Sequence, residues 1–157
     1  MAILTSSSSG ISLLYVSFHT LKGQESPHLV DKHARELKIS AFDKVDTFLM
    51  YDMDVPSINT KLRACKAQLL LSNPCFEIWL LLHAKDQRTG LSSDAVIKEL
   101  KKSSPVWHNY NKALYTDTQK AFLKVHLEEA VSRAKALKEF QNPSSQIYKL
   151  LEKLEDK

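Results

Sequence analysis

Apolar residues first gather along the chain in short runs rich in β-formers and later recur with a helical period. Residues 11–18, Ile-Ser-Leu-Leu-Tyr-Val-Ser-Phe, read as a short buried strand. Ser26-Pro27 then opens a helix, with Ser at the cap and Pro at the first helical position, and Leu29, Val30, His33, Ala34 and Leu37 keep helical spacing until about residue 39. Residues 45–51 form a second apolar run, too short for a helix, that predicts a strand with Asp52 and Asp54 at its exit. Pro56-Ser57 starts a modest helix through about residue 66, and residues 68–71 make a third strand leading straight into Ser72-Asn73-Pro74.

The helix after that turn should be largely buried, because Phe76, Trp79, Leu80 and His83 share one face while Ile78, Leu81 and Leu82 widen the apolar surface. Strands alternating with helices imply parallel pairing by right-handed crossovers, hence an α/β class with an open, mainly parallel sheet flanked by helices. The second half, residues 89–157, reads as helical. Ser92 or Ser93 caps a helix carrying Val96, Ile97 and Leu100, a loop spans 103–112, and one long helical stretch over 116–140 ends at Asn142-Pro143. A last helix follows from about residue 144 to 154. Three glycines leave no Gly-rich linker, so residues 11–88 and 89–157 are expected to form one domain.

Composition supports a folded chain: with 157 residues, 43% hydrophobic and 25% charged, it is long enough to bury one core and lacks the signature of disorder. A formal charge of +4 permits a polyanionic partner but selects none. Cys65 and Cys75 form no metal-ligand pattern and no disulfide scaffold, which points to a cytoplasmic setting. No apolar run approaches the roughly 20 residues of a membrane span. Residues 1–10 hold four consecutive serines and no basic stretch, so they predict a frayed tail rather than a secretory signal.

Asp52 and Asp54 occupy alternate positions at the end of an apolar run, and in an extended chain such residues point to one side. Two converging carboxylates repel unless a cation or proton lies between them, and hard oxygen donors suit Mg²⁺ or Mn²⁺. An ordinary polar strand exit is the plainer alternative. Glu77 is either a partner of the helix dipole or a group serving a metal or phosphate, and Asn73 either caps the helix or exposes a turn to a phosphate oxygen that Ser72 could help hold. Tyr110 and Lys112 offer a ring and a charge to nucleic acid, or simply anchor a loop. His83 and Trp79 read as packing residues.

The string SNPCFEIWLLLH over residues 72–83, the acidic strand YDMD upstream and the Tyr110-Asn111-Lys112 loop downstream together resemble the RloB-like family. The likeness runs from about residue 23 to 154. That family is associated with an ATPase partner in phage-defence operons and resembles the Toprim domain of nucleases and topoisomerases. The resemblance implies a Toprim-like fold and metal-dependent phosphodiester chemistry, with Asp52 and Asp54 as the Toprim D-x-D holding Mg²⁺ or Mn²⁺. Ser72, Asn73, Tyr110 and Lys112 would then meet a nucleic-acid substrate. The Toprim glutamate that moves a proton has no visible match, since the nearest acid to the first strand, Glu25, lies beyond Lys22-Gly23. Either the chain is an N-terminally shortened version or the chemistry is lost, and Glu77 is the substitute candidate. A non-catalytic interaction module of the same system is the competing expectation. A small-molecule phosphotransferase is disfavoured, because three glycines supply no P-loop and no G-x-G-x-x-G.

Overall fold

The computed structural model describes residues 2–7, 10–18, 48–55, 59, 68–112 and 114–155. Five strands appear among them: β1 (Ala2–Ser7), β2 (Gly10–Phe18), β3 (Phe48–Asp52), β4 (Gln68–Asn73) and β5 (Ser144–Ser145), lying side by side in chain order. The centre is parallel, as the alternation of elements implies: β2 pairs with β3 through Val16↔Phe48, and β3 with β4 through Phe48↔Gln68 to Asp52↔Ser72. The outer pairs are antiparallel, so the sheet is mixed. The helices expected over 26–39 and 56–66 lie outside the described residues, apart from Asn59.

Two expectations at the ends of the sheet are corrected. Residues 2–7 do not fray but pair with β2 from Ala2↔Tyr15 to Ser7↔Gly10. The physical reason is local: Ala-Ile-Leu-Thr is a fair strand sequence, and β2 offers it an edge to pair with. Ser144 and Ser145 do not open the last helix either, because they pair antiparallel with Asn73 and Ser72 and satisfy the far edge of β4.

Five helices follow β4: α1 (Glu77–Ala84), α2 (Ser93–Ser103), α3 (Asp117–Val125), α4 (Leu127–Lys135) and α5 (Tyr148–Glu155). Helix α1 is apolar all round and is buried from Glu77 through His83, as its sequence predicts. It packs against α2, α3, α4 and the β4 and β5 strands, which makes it the axis of the core. Ala130 and Ala134, one turn apart and both buried, let α4 approach α1 closely. Helix α2 starts at Ser92, whose hydroxyl accepts the Ala95 amide at 3.3 Å, and it buries Val96 and Leu100.

The long helix expected over 116–140 is instead two. Thr116 and Gln119 form a capping box at the start of α3, with the Gln119 amide on the Thr116 hydroxyl at 3.2 Å and the Thr116 amide on the Gln119 side chain at 3.0 Å. The chain leaves helical geometry at His126 (φ −102°, ψ 21°), and α4 stops at Lys135. The loop expected over 103–112 holds a 3₁₀ turn, Pro105–Trp107, whose Trp107 is wholly buried against Tyr110 and Phe122.

The sheet has two packed faces. Phe48, Met50 and Leu70 belong with the α1 core, whereas Tyr51, Met53 and Leu71 gather with Leu69 and Phe140 on the other side. This alternation places Asp52, the last residue of β3, in line with Phe48 and Met50 on the face that carries α1. No helix among the described residues is long and apolar enough to cross a membrane.

Candidate active site

The strand exit and the turn into α1 meet here. Strand β3 ends with its Asp52 paired beside Ser72 of β4, and the Met53 amide continues the contact by donating to the Ser72 carbonyl at 2.8 Å. Asp52 and Asp54 are exposed while Tyr51 and Met53 between and beside them are buried, so the two acids emerge together and sense each other's charge. The Phe76 amide of the following turn donates to the Asp52 carboxylate. Crowding wins over that bond. Although the residue keeps solvent exposure, the surrounding protein strips water from part of its carboxyl, and this desolvation first, then the negative charges of Glu77 and Asp54, push Asp52 up to about 6.

Glu77 opens α1 and is buried. Its Oε1 accepts the Lys112 ammonium at 2.9 Å and the Tyr110 hydroxyl at 3.2 Å. The Cys75 thiol also donates to it. Burial alone would raise Glu77, but these donors and its own amide outweigh that and hold it below the usual carboxylate value. The same contacts act back on the partners. The carboxylate raises Lys112, and burial followed by Glu77 pushes the Cys75 thiol up to about 12. Tyr110 is driven far above its ordinary value by burial and by its neighbours Tyr115 and Glu77. Glu77 is thus an acceptor, Cys75 and Tyr110 are donors, and neither thiolate nor phenolate forms here.

Of the sequence-predicted set, the fold brings Asp52, Asp54, Glu77, Tyr110 and Lys112 into one electrostatic neighbourhood. Lys112 reaches solvent together with the two aspartates, while Glu77 and Tyr110 are buried. Tyr110 does not present a stacking face: its ring is buried edge-on to Trp107 and beside Tyr115. Ser72 is buried with its hydroxyl 3.4 Å from that of Ser145. Asn73 is not the α1 cap, because β4 runs through it and the helix begins only at Glu77 after Phe76, with no side-chain cap. Its amide donates instead to the Phe140 carbonyl at 3.3 Å. His83 is buried as expected, its Nδ1–H donating to the Trp79 carbonyl at 2.9 Å, and burial lowers it to about 4.

Sequence reasoning missed Cys75 and Tyr115 as parts of this cluster. Cys75 was legible in principle, two residues before Glu77 in the same turn. Tyr115 was not, because it reaches Tyr110 only once the chain folds back through the Asn111↔Leu114 bridge.

Among the described residues no three His, Cys, Asp or Glu side chains come together as a metal-ligating group. A cation here would rest on Asp52 and Asp54 with water or a phosphate completing its shell, which is how Mg²⁺ is commonly held. The mutual repulsion of these hard oxygen donors is the feature a cation would relieve, so the donor set fits.

No curated protein and no solved structure matches the chain. The family model described as RloB-like protein matches residues 10–154, which takes in β2 through almost all of α5 and every residue of the cluster above. The chain therefore belongs to the RloB-like protein family.

Proposed function

We propose that the chain is a Toprim-like, Mg²⁺- or Mn²⁺-dependent nuclease-type subunit of a phage-defence system that acts with an ATPase partner. The observation that carries this reading is the acid pair at the exit of a parallel strand, Asp52 and Asp54, crowded by Glu77. Ligands of open α/β sheets gather beyond the carboxyl ends of the strands, where this pair emerges. Asp52 and Asp54 hold the ion, and a bound Mg²⁺ supplies Lewis-acid polarisation of a phosphoryl oxygen. The exposed ammonium of Lys112 faces the same region and attracts the phosphate backbone. Ser72, Asn73 and Tyr110 shape the turn and loop that carry these groups.

The test is incubation with labelled single-stranded DNA, duplex DNA and RNA while Mg²⁺ and Mn²⁺ are titrated, alongside Asp52→Ala and Asp54→Ala. Metal-dependent cleavage abolished by either substitution supports the reading, and cleavage that survives both sinks it. One observation favours a second reading, a non-catalytic interaction module of the same system. Glu77, the acid beside the pair, is engaged by three donors and held ionised, so it is not poised to give up a proton. Metal binding without cleavage, in the presence of the ATPase, is the outcome that selects that reading.

A further inference from the structure

A carboxylate buried at the start of an apolar helix is costly, and a hydrophobic residue of similar size would stabilise the core as well or better. Glu77 nonetheless stands at that position, its side chain 4% exposed, and its ionic partner Lys112 is 63% exposed. The pairing is lopsided. The inner end is fixed by the Tyr110 hydroxyl, the Cys75 thiol and the Glu77 amide, while the outer end carries a lysine that could otherwise sweep freely through solvent. Among the described residues Glu77 is the acid with which Lys112 is paired, and that pairing engages one end of an ammonium that carries three N–H donors. Asp52 lies close enough to feel both the Glu77 and the Lys112 charges.

We propose that Glu77 and Tyr110 are positioning residues that hold the Lys112 ammonium beside Asp52 as a fixed phosphate-binding cation. This rests on the reading of the Asp52/Asp54 strand exit as a nucleic-acid site and deepens it by giving Glu77 the work of an anchor, not of a proton carrier. A tethered ammonium loses less conformational freedom on meeting a phosphate than a free one does. Charge and placement are therefore separable contributions.

The experiment measures binding of a fluorescent single-stranded DNA oligonucleotide and its RNA counterpart against salt concentration, with Ca²⁺ replacing Mg²⁺ so that cleavage does not enter. Lys112→Met is expected to weaken binding about tenfold and to reduce the salt slope by about one. Glu77→Gln and Tyr110→Phe keep the lysine's charge but loosen its tether. Each should weaken binding a few-fold with the slope unchanged, and the double variant should be little worse than Glu77→Gln alone. If Lys112→Met fails to fold, Glu77→Gln/Lys112→Met, which leaves no unpaired buried charge, carries the same expectation for the slope. Unchanged affinity and slope on loss of Lys112 overturn the proposal, as does the absence of binding by the unaltered protein. A slope that falls equally with Glu77→Gln overturns the positioning role. Cleavage assays on Asp52→Ala fail or succeed independently of these results, so the two readings are distinguished.

Discussion

Helix α1 buries an ionisable side chain at each end, and the two are treated in opposite ways. Glu77, in its first turn, is kept charged by a lysine, a phenol and a thiol drawn from outside the helix. His83, in its last turn, is kept neutral, with burial lowering it to about 4 and its Nδ1–H turned back onto the Trp79 carbonyl of its own helix. The histidine behaves as a packing residue with a polar atom satisfied locally, stacked edge-on to Trp79. The glutamate recruits a loop more than thirty residues away. A buried charge that could be replaced by a hydrophobe at little cost, yet holds a second charge at the surface, is placed for what it positions.

Breaking the charged end should have the larger effect. Lys112→Met leaves Glu77 without its cation and is expected to destabilise the fold by about 3 kcal/mol, toward the low end for a broken buried pair because water reaches the lysine side. Urea denaturation measures it. Adding Glu77→Gln should return most of the loss, whereas an equal loss in both variants would show that the lysine's stem, not its charge, matters.

The neutral end is sharpened by acid. Unfolded His83 takes up a proton near its ordinary 6.5, but folded His83 resists until about 4. The unfolded state therefore binds more protons between those values, and the stability that a neutral histidine contributes is complete above about 6.5 and lost as pH falls toward 4. His83 is expected to contribute a loss of about 2 kcal/mol by about pH 5, read as the difference in urea midpoints between the unaltered protein and His83→Leu. The difference is the measure because Asp52, raised to about 6, changes stability in the opposite sense over the same range. Glu77, lowered from its ordinary 4.5, loses its contribution only as pH falls through its folded value below that point. The two ends should separate on the pH axis.

How far the sequence revealed this contrast depends on the range of each interaction. The apolar stretch from Ile78 to Leu82 announces a buried helix, and His83 within it is read correctly as a packed residue because its partner lies four residues back. The alternate acids at Asp52 and Asp54 are equally legible, since strand periodicity is local. Asn73 misleads, because Asn-Pro before an apolar run looks like a helix start, while the pairing of Ser144 and Ser145 with β4 extends the strand through Asn73. The break at His126 is invisible, as Val125, Leu127, Ala130 and Ala134 continue the helical spacing past it. Lys112 and Glu77 stand 35 positions apart with a helix and a 3₁₀ turn between them, and no local pattern pairs them. Trp107 is lost for the same reason: a loop by composition becomes core by tertiary contact.

The smallest effect tests whether the C-terminal end of α1 uses a cation at all. Arg133 of α4 donates through Nη1 to the carbonyls of Leu82 and His83, at 2.6 and 3.2 Å, which satisfies acceptors that the helix itself leaves open. It is a capping cation on backbone oxygens, where Lys112 is a partner for a side-chain acid. Arg133 also lowers His83 through its charge, after burial and alongside His126. Arg133→Met should therefore cost about 1.5 kcal/mol at neutral pH and move the His83 titration upward, since one of the charges resisting its protonation is gone. Urea denaturation gives the first quantity and the His83 ring signals in an NMR titration give the second. If stability drops with no movement of the histidine, Arg133 acts only on the carbonyls, and the neutrality of the inner histidine rests on burial and the neighbouring His126.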